Sequence, residues 1–450
     1  MKRVFTAVSL AVVAAVSHAA PPYLPTGSNL TYGAVSNGQS VTSDITNPAA
    51  GAAVLDHQGE NQYRLGLPGS FGMGVEFGQF DDLYARIDAE ATKFQDPQLL
   101  TGVATPQEAV DQINAAIDSL NTVMSDVQEN GYAKVFSAAN IPLVVAHDSF
   151  GGSLAFNAGI SAASRVTGLY ETVVFDAQAA LNGVDAPDDD VSLTFDNTGL
   201  PTGFTVDNDS TVLIKASLVT DISLGYSRPL IKADGATLYA GARAHYYTVE
   251  QSQFNVRLAN LNNNVEQQFE DAMTQERASD SGLGVDLGLL WASEHYRIGV
   301  TYANINEPSF EGIAADLTNY DPNSSVAQRL MANGTYTMER QLSVEASLYT
   351  ASRNWVISAA MDTNPVKDAL GDEYQWTSFS AAYATDSWYL PGIRAGYRSN
   401  LAGSEITYYS AGLTIAILNL DVAWSPDEIV IDGESVPRGA MMNLGLEFSF

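Results

Sequence analysis

The chain of 450 residues contains no cysteine, only 21 Lys and Arg against 52 Asp and Glu, and 5 His. Without cysteine there is no disulfide scaffold, no thiol nucleophile and no CxxC redox or zinc site. The formal charge of −31 repels phosphate backbones and argues against nucleic acid as a partner. Past the N-terminus no helix-spanning apolar run of about 20 residues occurs, and uncharged segments such as 406–420 are rich in Gly, Ser and Tyr. After the leader the histidines are His57, His147, His245 and His295, none within a helical turn of another and none in an HExxH pattern. Gly151-Gly152-Ser153-Leu154-Ala155 lacks the final glycine of a nucleophile elbow, and there is no Walker loop or dinucleotide fingerprint. The sequence therefore assigns no catalytic residue, no metal ligand and no cofactor, and it reads as a non-enzyme.

Glycine and tyrosine are abundant at 36 and 21 residues while charged residues make up 16%, which fits neither a disordered acidic chain nor a helical bundle. Lys2 and Arg3 begin the chain, residues 4–16 carry no charge, and Ser17-His18-Ala19 places small residues where a signal peptidase reads. A signal peptide over residues 1–19, cleaved after Ala19, is expected. No cysteine follows it, so no lipoprotein anchor is expected.

From Tyr63 the odd positions read Tyr63, Leu65, Leu67, Phe71, Met73, Val75 and Phe77, against Arg64, Gly66, Pro68, Ser70, Gly72, Gly74 and Glu76 at even positions. The same period of two recurs at 212–226, 283–291 and 296–302, over lengths beyond the ordinary globular strand of about 5 to 6 residues. A soluble sandwich would show the same alternation. The polar face here is rich in Gly, Ser and Ala, however, and aromatics such as Tyr63, Tyr226, Trp291, Tyr296, Trp355 and Trp424 sit at strand ends, as interfacial girdles require. The predicted fold is an all-β transmembrane barrel of about 14 antiparallel strands, within a range of about 12 to 16. By parity Arg64, Glu76, Lys215, Asp221, Asp286, Arg297, Glu345, Arg394, Arg398, Asp421 and Glu447 point into the lumen, while Val285, Leu287 and Leu446 face lipid.

In the last strand Met442, Leu444, Leu446, Phe448 and Phe450 alternate with polar or small residues. An apolar strand ending on an aromatic resembles the signal read by the outer-membrane barrel assembly machinery, which becomes an expected partner together with outer-membrane lipids. Residues 59–450 are thus read as the barrel and residues 20–58, rich in Pro, Gly, Ser, Thr and Asn, as an N-terminal hatch or plug. Helical insertions are expected near 81–130 and 254–273, the first containing two helices at 81–94 and 106–130. In 106–130 Val110, Ile113, Ile117, Leu120, Met124 and Val127 mark one apolar face, with Thr105 as cap and Pro106 at the first helical position. The acidic run Asp185, Asp188, Asp189 and Asp190 reads as a solvated loop.

The phrases Tyr63-Arg64-Leu65-Gly66-Leu67-Pro68-Gly69-Ser70-Phe71-Gly72, Arg340-Gln341-Leu342-Ser343-Val344-Glu345, Leu390-Pro391-Gly392-Ile393-Arg394-Ala395-Gly396-Tyr397-Arg398 and Tyr408-Tyr409-Ser410-Ala411-Gly412-Leu413 together resemble the conjugal transfer TraF-like outer-membrane protein family, over most of the chain. The thioredoxin-like periplasmic protein sharing that name does not match this alternating pattern. Asn47-Pro48-Ala49 resembles, more distantly, the turn near the start of barrels of the fatty-acid-transporter type, whose N-terminal segment folds into the lumen and which pass hydrophobic molecules sideways into the membrane. The two resemblances imply two functions. One is a plugged transporter or channel for a small hydrophobic ligand in the Gram-negative outer membrane. The other is an envelope or conjugative-transfer component, with the barrel as anchor and the helices as docking surfaces for envelope or pilus-assembly proteins. Neither family brings catalytic residues.

Overall fold

A computed structural model describes residues 24–25, 27–31, 40–53, 62–81, 86, 89, 100, 103–182, 189–197, 199–257, 277–332, 334–384, 390–431 and 433–449. The alternating segments form one antiparallel sheet that closes on itself. Its staves are β1 (in two parts, Gln62–Gly66 and Ser70–Phe77), β2 (Tyr132–His147), β3 (Gly152–Leu169), β4 (Thr211–Ala233), β5 (Ala236–Arg257), β6 (Ala278–Ser293) and β7 (Tyr296–Ala303). The circuit continues with β8 (Gln341–Tyr349), β9 (Trp355–Asp362), β10 (Trp376–Tyr383), β11 (Gly392–Asn400), β12 (Thr407–Ile415), β13 (Leu418–Trp424) and β14 (Gly439–Ser449). Each pairs with its sequence neighbour, and β14 pairs with both β13 and β1, giving a closed barrel of fourteen staves with no open edge in lipid.

β1 is broken at Leu67-Pro68-Gly69. Five residue steps from Gly66 to Phe71 stand opposite three from Glu447 to Leu444, so two extra residues bulge out. An even insertion preserves parity, which keeps Arg64 and Glu76 on the same inner face. The ladder resumes on both sides, with Leu446 N donating to Pro68 O (2.8 Å) and Gly69 N to Asn140 O (2.9 Å).

The free ends of the first and last staves and the tight turns lie at one end, and the long connections between staves, 78–131, 170–210, 304–340 and 363–375, start and finish at the other, as short periplasmic turns and longer outer loops do. Outward faces carry Leu224, Leu283, Leu287, Leu289, Ile298, Leu348 and Ile357, all exposed on the isolated barrel. Aromatic pairs mark both rims: Trp355 with Tyr383 (5.1 Å) near the turns, and Tyr397 with Tyr409 (6.0 Å) toward the loops. Among the described residues no helix is long and apolar enough to cross a membrane.

Several boundaries differ from the sequence reading. β2 begins at Tyr132 rather than 141, because the weak strand formers Ser137, Ala138, Ala139 and Asn140 are held in register by pairing with β1 and β3 on both sides. β3 runs on to Leu169, past the expected end at 163. β8 starts at Gln341, and Thr335–Thr337 forms a separate hairpin with Ser309–Glu311 in the outer loop. The helix expected from Phe254 is strand as far as Arg257, paired with β4. Its remainder to 273, the helix at 81–94 apart from Asp81, Arg86 and Ala89, the leader, Phe450, Asp185 and Asp188 lie outside the described residues.

Candidate functional site

The lumen holds the N-terminal segment. Its described part contains α1 (Thr42–Thr46), the turn Asn47-Pro48-Ala49 and α2 (Ala50–Ala53), nearly all buried. Two helices this short have no intrinsic stability, so the barrel wall must hold them. Arg243 on β5 does most of it: its guanidinium donates to the Asp44 carboxylate and to the backbone carbonyls of Asp44 and Ile45. The other Asp44 oxygen accepts Gly51 N (3.1 Å), tying α1 to α2. Burial pushes the Asp44 carboxyl up from its ordinary range, against the lowering influence of Arg243.

Asn47 shapes the turn by accepting Ala49 N (2.9 Å), while its amide donates to the wall carbonyls of Leu289 (3.3 Å) and Val300 (3.4 Å). The wall is glycine where the turn touches it: a Cβ on Gly241 would run into the Pro48 carbonyl, and one on Gly288 into Asn47 and Ala49. Below, Ala52 N donates to Ser227 Oγ (2.9 Å), and Ala49, Ala52 and Ala53 pack on Tyr239, Leu290 and Ala292. Farther along the lumen Glu447 accepts Ser40 Oγ (2.7 Å) and Val41 N (2.8 Å). Thr31 donates to Asp421 (2.6 Å), itself gripped by Arg394 (2.7 Å).

The hairpin within 363–375 folds in from the loop end. Its tip is closed by Asp368, which accepts Leu370 N and Asp372 N (both 2.9 Å), with Gly371 in the left-handed region at φ 94°. Lys134 on β2 pairs with Asp368 and Asp372 (2.8 Å to the latter), and Arg165 on β3 pairs with Asp372. Lys215 reaches the Leu370 carbonyl (3.4 Å). Leu370 and Tyr374 of the hairpin pack with Leu24 and Leu30 of the N-terminal segment and with Phe136, Ile406 and Tyr408 of the wall.

Between this lid and the plug lies a chamber of about 310 Å³. Its floor is Ile45, Thr46 and Asn47, its roof Val366 to Ala369, and its apolar lining includes Val219, Tyr247, Tyr336, Met338 and Trp376. One wall carries His245 with both ring nitrogens 2.9 Å from carboxylates, Nδ1 from Asp221 and Nε2 from Asp286. The ring stacks on Tyr247 at 5.0 Å, and Asn304 N donates to the second oxygen of Asp286 (2.8 Å). Both ring nitrogens of His245 thus face carboxylate oxygens, which fixes the ring in its plane between the two staves. Among the described residues no group of His, Asp and Glu could hold a metal ion.

The remaining charges singled out by parity also lie on the inner wall. Arg64 is buried beside Gln62, and Glu76 accepts from Tyr132 (2.6 Å) and Tyr408 (3.2 Å). Arg297 sits 5.7 Å from the Tyr349 ring, Glu345 is buried in the chamber wall, and Arg398 lies over Trp376 at 4.9 Å. Met442 and Leu444 face outward, while Leu446 and Phe448 are partly covered. Parity alone would have found Arg243, His245 and Tyr247, which alternate along β5. Nothing local could have matched Arg243 to Asp44, 199 residues away, or Lys134 to Asp368.

A family model described as "F plasmid transfer operon, TraF, protein" matches residues 44–362. No curated protein matches the sequence. Among solved structures, a TodX deltaS2S3 mutant monoaromatic hydrocarbon channel is similar at 12% identity, covering 91% of this chain and 94% of that one, with a TM-score of 0.41. The Pseudomonas putida toluene transporter TodX is 12% identical over 93% of this chain and 97% of its own, with a TM-score of 0.37. A Pseudomonas aeruginosa FadL homologue is 12% identical over 97% of each chain, with a TM-score of 0.31. Likeness at this level concerns the barrel fold alone. The family match, by contrast, spans most of the chain, and with its closed outer-membrane-type barrel the protein belongs to the family described as F plasmid transfer operon, TraF, protein.

Proposed function

We propose that the protein is a plugged channel of the outer membrane that admits small, largely apolar molecules, exported with loss of residues 1–19. The observation that carries this reading is the chamber itself. An inward-folded lid and a wall-anchored plug bound a 310 Å³ space lined by Tyr247, Tyr336, Met338 and Trp376, at the small end of the volumes that ligand pockets occupy. Occupancy needs only that lid or plug shift, and both are tied to the wall by a few side chains rather than by the sheet. A sideways exit, if the substrate leaves into lipid, is best placed at the bulge in β1, where Pro68 and, on the facing stave, Pro142 lack N–H donors.

The assembly reading draws less support. The apolar face of the helix Pro106–Asn130 is covered by the chain itself, with Ile113 and Ile117 packed against Val173 and Val191. The test is purification in mild detergent followed by mass spectrometry of bound small molecules and planar-bilayer conductance. A channel of this kind co-purifies with an apolar ligand and conducts ions poorly. A large, steady conductance would mean an open pore and overturn the reading.

A further inference from the structure

Arg398 lies on the inner face of β11, 6% exposed, and borders the chamber. Its Nε and Nη1 have no hydrogen-bond partner, and among the described residues it makes no ion pair. Arg394, four residues away on the same face, is by contrast doubly bonded to Asp421 at 2.7 and 2.5 Å. The carboxylate whose field reaches Arg398, that of Asp362, is committed elsewhere: one oxygen accepts Ser343 Oγ (2.6 Å) and the other Trp376 N (2.9 Å). What supports the guanidinium is the face of Trp376, 4.9 Å from its centre, which also borders the chamber. A buried guanidinium with unanswered donors is costly unless an acceptor completes it, and the edge that Nη2 forms with either unanswered nitrogen matches a carboxylate in two parallel bonds.

We propose that the chamber takes a small organic carboxylate with an apolar body, the carboxylate forked by Arg398 over the Trp376 face. On the other walls Glu345 and the Asp221–His245–Asp286 cluster, whose ring nitrogens are already taken, give the head group no donor, leaving the body among Tyr247, Tyr336 and Met338. The chamber's 310 Å³ suits an aryl or short alkyl acid rather than a long chain. This deepens, and rests on, the channel reading above.

The test is calorimetric titration of the full-length barrel in detergent with benzoate and with toluene, its neutral counterpart. The parent protein binds benzoate at least about tenfold more tightly than toluene, the margin one charge-assisted pair gives. R398Q brings that ratio to about 1, R398K retains part of it, and the gel shift of unheated samples checks that each variant is folded. Toluene binding equal to or tighter than benzoate in the parent overturns the carboxylate proposal and leaves the channel reading intact. So does an unchanged ratio in folded R398Q. Binding of neither probe removes both.

Discussion

Replacing Arg243 with Ala addresses the seat of the plug directly. The guanidinium is almost fully buried and carries three of the contacts that hold α1, including the ion pair to Asp44. Its removal leaves the Asp44 carboxylate buried with Gly51 N as its remaining donor among the described residues, and breaking one side of a buried pair costs about 3 to 5 kcal/mol. At 1.4 kcal/mol per tenfold, the unseated population rises by roughly 10² to 4 × 10³-fold. The plug is still tethered through Asn47, Glu447 and Asp421, so the outcome is intermittent unseating rather than loss of the barrel. Two readouts follow it: the frequency of conducting openings in planar bilayers, and labelling of a single Thr42→Cys reporter, at a fully buried position of α1, by a water-soluble thiol reagent, clean because the chain has no cysteine. The double replacement Arg243→Met with Asp44→Leu removes both charges and should return most of the seating, since the desolvation cost disappears with the pair. Parental conductance and labelling in a folded Arg243→Ala protein, or a double variant looser than the single, would refute the reasoning.

Three further outcomes are expected. Leu287→Arg, on the outer face of β6, should lower barrel stability by about 2 to 4 kcal/mol in a reversible denaturant titration in lipid, and parental stability would mean that this face does not meet lipid. Gly288→Val should displace the Asn47 turn and raise labelling of Thr42→Cys, whereas Gly334→Val, where a Cβ has room in the outer loop, should not; equal labelling in both would remove the argument from close contact. The lid should stay closed from about pH 8 down to 5 and open only below about 4. Burial pushes the Asp372 carboxyl up, but Lys134 and Arg165 outweigh it and hold the group below its ordinary value. Its stabilisation is therefore present above the unfolded carboxylate pKa and lost as pH falls through the lower folded one. Burial raises the Asp368 carboxyl, so that group takes its proton first, which relieves a buried charge rather than opening the lid, and Lys134 and Arg165 remain on Asp372 when it does. Labelling of Leu370→Cys across pH reads this, and opening near pH 6 would contradict it.

Much of the barrel was legible because a wall between lipid and a plugged lumen imposes period two on every stave, and a two-residue bulge in β1 leaves that period unbroken. The sequence by itself therefore determined the closed antiparallel architecture, a strand number within about 12 to 16, and the parity that puts Arg64, Asp286, Arg398 and Asp421 on one face. It could not show Ser137 to Asn140 as strand, since small and polar residues carry no alternation there and only pairing on both sides extends them. Nor could it say which inner charges meet. Arg394 and Asp421 find each other, Arg243 takes Asp44, His245 joins Asp221 to Asp286, and Arg398 is left with a tryptophan face. Parity gives the side of the wall on which a charge points, but height along the barrel and the path of the plug come from stagger between staves and from long-range closure. That is why the chamber belongs to the tertiary structure alone: its floor, roof and walls are separated by hundreds of residues and share no local pattern.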